Sequence, residues 1–115
     1  MSSNRSIDKL TIKGFKSIRN LNQFRLRKLN VLIGANGAGK SNFVSFFRML
    51  GEMVEGRLQN WTRNQGSADR IVSFAVKETS KVESVIEFGS NEYRFALEPT
   101  VDGGFTFVSE MLFIP

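Results

Sequence analysis

The chain has 115 residues, 41% of them hydrophobic and 23% charged, and carries a net charge of +5. That length allows one domain with a modest core, and the composition is that of a folded globular protein. Cysteine and histidine are both absent, which excludes disulfides, thiolate metal sites and the commonest metal ligand and general base.

No apolar stretch is long enough to span a bilayer. Residues Met1–Ser6 lack the apolar core of a signal peptide, so a cytoplasmic location is the expectation. The charge is uneven. Residues 1–28 hold Arg5, Lys9, Lys13, Lys16, Arg19, Arg25, Arg27 and Lys28 against Asp8 alone, a net of +7, whereas residues 29–115 sum to −2. A basic first quarter is a candidate surface for DNA, RNA or another polyanion. It equally suits a solvated strand whose lysines guard a sheet edge.

Taken in order, Ile7–Lys13 alternates and predicts an amphipathic strand that Gly14 ends. Phe15–Ile18 reads as a turn and Leu21–Leu26 as a second strand, with Phe24 and Leu26 on one face. Leu29–Ile33 is a third, more apolar and more deeply buried strand. It leads into Gly34-Ala35-Asn36-Gly37-Ala38-Gly39-Lys40-Ser41, which matches the phosphate-loop pattern G-x-x-x-x-G-K-[ST] at every fixed position. Strand, glycine loop and helix are the context such a loop requires. Its glycines let backbone N–H groups converge on a phosphate, and the following helix N-terminus adds partial positive charge. Lys40 is expected on the β- and γ-phosphates, with the Ser41 hydroxyl on Mg²⁺.

The helix is predicted from Gly39 or Lys40 to about Gly56. Phe43, Phe46, Phe47, Leu50, Met53 and Val54 form one apolar face, and Arg48, Glu52 and Glu55 face solvent. Gln59–Asp69 is polar and reads as a loop anchored by Trp61. Ile71–Val76, Val82–Phe88, Tyr93–Leu97 and Phe105–Phe113 are strand-like runs, with turns at Thr79–Lys81, at Asn91 and at Asp102-Gly103-Gly104. They predict an antiparallel meander. The expected organisation is one incomplete P-loop domain, with basic strands, loop and helix in residues 1–58 and the meander in 71–113.

Leu10-Thr11-Ile12-Lys13-Gly14-Phe15-Lys16-Ser17-Ile18, followed by Leu29–Phe43 with its asparagine-containing loop, resembles the start of ABC-type ATPase heads. The nearest of these are the SMC, RecF and OLD-like ATPases, including AAA-type ATPases of bacterial defence systems. The resemblance implies an α/β P-loop NTPase fold, an ABC-ATPase-like N-terminal lobe with an antiparallel β subdomain. It implies that Asn36, Gly37, Ala38, Gly39, Lys40 and Ser41 wrap the phosphates of ATP, that Asn42 lies at the loop's rim, and that Lys16 approaches from the opposite side. Lys16 also fits the description of an exposed turn lysine, and Phe15 is expected to pack under the sheet rather than on adenine. ATP is preferred to GTP by the same resemblance, since no N-K-x-D sequence occurs.

Several parts of that family's machinery are missing from the sequence. There is no Walker B strand ending in Asp-Glu; Ser84-Val85-Ile86-Glu87 is the closest imitation. No Ser-Gly-Gly opens a helix, Val101–Gly104 being hairpin-like, and Gln59 and Gln65 precede the meander, the wrong place for a Q-loop. The expectation is therefore the ATP-binding, N-terminal half of a larger ATPase that holds ATP and Mg²⁺ without hydrolysing it alone. Its parent would act in DNA repair, chromosome maintenance or phage defence. The alternative is a non-catalytic DNA- or RNA-binding module using the basic strands. With its flanking strands missing, the P-loop strand would expose an apolar edge, so self-association or a partner chain completing the sheet is expected.

Overall fold

The computed structural model describes residues 7–25, 40–72 and 81–115. The expected strand Leu29–Ile33, the loop as far as Gly39 and most of the run Ile71–Val76 lie outside the described residues. In chain order the elements are β1 (Lys9–Phe15), β2 (Ile18–Arg25), α1 (Lys40–Val54), α2 (Leu58–Asn64), a 3₁₀ turn (Ala68–Arg70), β3 (Val82–Phe88), β4 (Asn91–Pro99) and β5 (Phe105–Phe113). The described strands form one antiparallel sheet in the order β2-β1-β3-β4-β5. β1 therefore joins the N-terminal hairpin directly to the meander.

Alternation sets the sheet's buried face. Leu10 and Ile12 of β1 stand opposite Ile86 and Ser84 of β3, and Ser84 stands opposite Phe95 of β4. All are buried, together with Val82 and Leu97. Ser84 satisfies its hydroxyl by donating to the Thr11 carbonyl at 2.8 Å, as a buried polar group must. The helical layer contributes Phe43, Phe46 and Met49 of α1 and Leu58 and Trp61 of α2 to the same cluster.

The strand boundaries differ from the sequence reading at the β1–β2 turn and at the hairpin after β3. Gly14 does not end β1 but sits within it at φ +79°, where an added Cβ would collide with the carbonyl oxygen of Lys81. Only glycine fits both the dihedral and the close approach. The turn shrinks to Lys16-Ser17, and β2 begins at Ile18. A bulge between Leu10 and Ile12 follows in the hairpin, where the Gln23 amide donates to the Thr11 hydroxyl at 3.0 Å. The hairpin after β3 turns at Gly89-Ser90, with Gly89 at φ +63°; Asn91 already pairs with Phe88.

The helices differ as well. The buried face of α1 is centred on Phe46 and reaches Met49, which leaves Val54 at its rim and 84% exposed. Gln59–Asp69 is largely helical, not a loop. Leu58 and Trp61 lie at i, i+3 and are buried, and the buried Thr62 hydroxyl donates to the Leu58 carbonyl at 2.7 Å. A helix this short depends on tertiary packing. The Gln59 side chain supplies some of it, donating to the Phe105 carbonyl at 2.6 Å and accepting from the Phe105 amide at 2.9 Å.

At the far side, β5 is the outermost of the described strands and exposes Val108, Met111, Leu112 and Phe113, followed by exposed Ile114. No helix among the described residues is long and apolar enough to cross a membrane. Replacing Gly14 with alanine combines left-handed strain with a backbone collision. Gly14→Ala is expected to lower stability by about 2 kcal/mol or more, read from the midpoint of urea denaturation.

Candidate functional site

The β1–β2 turn is pressed onto the first turns of α1. Phe15, fully buried at the end of β1, meets Phe46 edge-to-face with centroids 5.3 Å apart. Lys16 follows in the left-handed region at φ +50°, and its amide donates to the Ile71 carbonyl at 2.5 Å. An antiparallel bridge from Phe15 to Val72 extends this contact. These constraints aim the Lys16 side chain at the helix, where Nζ donates to the Ser45 hydroxyl at 2.9 Å. The ammonium also lies 5.7 Å from the Phe15 ring centroid. Burial lowers its pKa from the ordinary lysine value, because desolvation disfavours the charged form. Beside it, the Asn42 side-chain amide donates to the Ser17 hydroxyl.

Of the residues singled out in the sequence, Lys16, Ser41 and Asn42 therefore gather around the N-terminal turns of α1. Ser41 is exposed on the first turn. Lys40 opens the helix, directly behind the glycine sequence. Asn36, Gly37, Ala38 and Gly39 lie outside the described residues.

Two cavities flank the Lys16–Ser45 bond. A groove of about 440 Å³ between α1 and α2 is lined by Ser41, Val44, Ser45, Arg48, Trp61 and Gln65. A cleft of about 690 Å³ is lined by Lys16, Ser17, Arg19, Gln65, Arg70 and Val72. Gln65 borders both. The sequence reading missed Ser45, Arg48, Gln65 and Arg70 as wall residues. One signal was available for the helix: Ser41, Ser45 and Arg48 fall at i, i+4 and i+7, a polar stripe on a helix whose other side is apolar.

The basic β1–β2 hairpin is electrostatically divided. On the sheet, Lys9 stands opposite Glu87 and Lys13 opposite Glu83. Arg25 shares a shallow pocket with Lys9, Asp8 and Glu87. Among the described residues no group of three or more aspartates, glutamates, histidines or cysteines is arranged to hold a metal ion.

A two-layer α/β arrangement whose main helix opens on the lysine of a phosphate-loop sequence defines a P-loop, ATPase-like nucleotide-binding protein. Residues 29–107 match the model of the family described as "AAA domain, putative AbiEii toxin, Type IV TA system". The match runs from Leu29, ahead of the phosphate-loop sequence, into β5, well over half of the chain, and the chain belongs to this family. No curated protein and no solved structure matches it.

Phe46 is the shared wall on which both the core and the Lys16 turn rest. Phe46→Ala is expected to cost about 3–5 kcal/mol, measured by urea denaturation followed through tryptophan fluorescence.

Proposed function

We propose that the chain binds ATP with Mg²⁺ through a Walker A loop, Asn36–Ser41, as the ATP-binding part of an SMC-, RecF- or ABC-like ATPase head. The observation that carries this reading is the docking of the Lys16-Ser17 turn on Asn42 and Ser45 of α1. That contact puts a second cation beside the helix N-terminus, where phosphates bind best. Lys40 serves the β- and γ-phosphates. The exposed Ser41 hydroxyl, on the first turn of α1, fits a Mg²⁺ ligand; the ion supplies charge neutralisation on the phosphate oxygens. Asn42, tied to Ser17, fixes the rim of the loop. Lys16 meets the phosphates from the side facing the sheet.

Phosphoryl transfer also needs an acid to position the attacking water, and the 115 residues contain neither a Walker B sequence nor a signature motif. Binding without turnover follows, with hydrolysis waiting for those groups from elsewhere. The family resemblance favours a parent role in DNA repair, chromosome maintenance or phage defence. The alternative, a nucleic-acid module on the basic strands, is disfavoured by the carboxylates that face Lys9 and Lys13 across the ladder.

The apolar residues along β5 support pairing of this strand with β5 of a second copy. Glu110, the strand's single charge, accepts a hydrogen bond from the Tyr93 hydroxyl at 2.6 Å. An antiparallel pair of such strands would juxtapose few charges.

Lys40→Ala is expected to weaken ATP binding by about tenfold or more in titration calorimetry with Mg²⁺. Phosphate release should stay at background for both proteins; robust, Lys40-dependent release would overturn the division between binding and turnover. In light scattering the chain should self-associate with concentration, and Met111→Lys with Phe113→Lys should suppress this. A wild-type chain that stays monomeric at every concentration rules out the pairing.

A further inference from the structure

We infer that Arg19 and Arg70 form, with Lys16, a second phosphate-binding wall that grips the polyphosphate of a nucleotide held by the loop. This rests on the nucleotide-binding reading above and adds residues that lie outside the phosphate-loop sequence.

The argument begins with backbone placement. The bond from the Lys16 amide to the Ile71 carbonyl and the Phe15–Val72 bridge lay the hairpin turn alongside the segment that ends the 3₁₀ turn. Arg19 is the second residue of β2, and Arg70 the last of the 3₁₀ turn. The segment carrying Arg70 is anchored by buried Ala68 and Ile71 and by the Ala68 amide, which donates to the Gly103 carbonyl at 2.9 Å. Gly66 leaves room for the arginine stem: a Cβ there would press on Arg70 Cγ at 3.2 Å. Three cations from two parts of the chain thus line one cleft of about 690 Å³, a volume within the range of small-molecule sites.

At several other places on the described surface, positive charge is balanced. Arg57 pairs with Glu52, Arg63 with Asp102, Lys81 with Glu83 and Arg94 with Glu92. The pocket beside Lys9 and Arg25 includes Asp8 and Glu87. Among the described residues, the lining of the cleft contains Lys16, Arg19 and Arg70 and no carboxylate, and neither arginine takes part in an ion pair. Like charges that line one cleft repel, and a polyanion relieves that repulsion. Guanidinium groups suit phosphate oxygens through paired N–H donors.

The cleft also adjoins the expected phosphates. Ser17, which lines it, accepts the hydrogen bond from Asn42 on the first turn of α1. A ligand whose phosphates sit at that helix end would lie beside the cleft that both arginines line. A nucleic-acid strand would instead need a track of unbalanced charge, and on the β1–β3 ladder Lys9 and Lys13 stand opposite Glu87 and Glu83.

Arg19 and Arg70 are both exposed, so Arg19→Gln with Arg70→Gln should leave the fold intact, checked by circular dichroism and urea denaturation. Titration calorimetry would then compare ATP, ADP, AMP and adenosine on the wild type, the double variant and Lys40→Ala. The double variant should lose about tenfold or more in ATP affinity, little for adenosine, and part of the salt dependence of ATP binding. An unchanged preference for ATP over adenosine, in a chain whose binding still depends on Lys40, overturns this inference alone. A wild type that binds no nucleotide overturns the loop reading and this inference together. A loss confined to a fluorescein-labelled single-stranded oligonucleotide, with ATP affinity kept, also overturns it.

Discussion

The structure around the N-terminal turns of α1 depends on one close approach, that of β1 to the start of β3 at Gly14. Because no side chain intervenes there, β1 continues for one more residue and delivers Phe15 into the core against Phe46. That ring contact joins the sheet to α1. It also fixes where the next two residues emerge. Lys16 and Ser17 then meet Ser45 and Asn42 on the outward turns of the same helix. A backbone permission becomes a packing contact, and the packing contact becomes the placement of a cation.

The same geometry sorts the positive charge that dominates the first quarter of the chain. Side chains on the sheet's outer face find acidic neighbours across the β1–β3 ladder, as cross-strand pairs of opposite charge favour. Those near the turn are carried past the end of the ladder and gather at the cleft. Among the described residues of this quarter, the positive charge thus falls into two populations, Lys9 and Lys13 opposite glutamates on the sheet and Lys16 and Arg19 lining a cavity. Lys16 is partly withdrawn from water, which makes its ammonium more responsive to an approaching anion than a fully solvated one.

How much of this was legible in the sequence varies with the range of the forces involved. Val82–Phe88 and Phe105–Phe113 were readable to the residue because alternation is a local signal. The start of α1 was readable because the glycine loop marks it. The α2 helix was hidden: its asparagines and glutamines give no apolar period, and its stability comes from Trp61, Leu58 and a side-chain bond to a strand 46 residues away in sequence. Gly14 was recognised as special and given the wrong role, since its neighbour, Lys81, arrives only through the fold. The membership of Lys16 and Asn42 in the site came through resemblance. Gln65, Arg19 and Arg70 carried no local mark, and Ser45 only the polar stripe of α1, because the cavities they line are made by elements far apart in the chain.

The side-chain amide of Gln59 has a further meaning. By donating to the Phe105 carbonyl and accepting from its N–H, it acts as a single peptide group placed beside the beginning of β5. The protection of that one amide against hydrogen exchange is then set by how long α2 stays folded and docked, rather than by fraying of the strand. The Phe105 amide becomes an observable for the helix. Anything that disturbs the wall formed by Trp61 and Gln65, including occupancy of the neighbouring groove, would register there as a change in exchange rate.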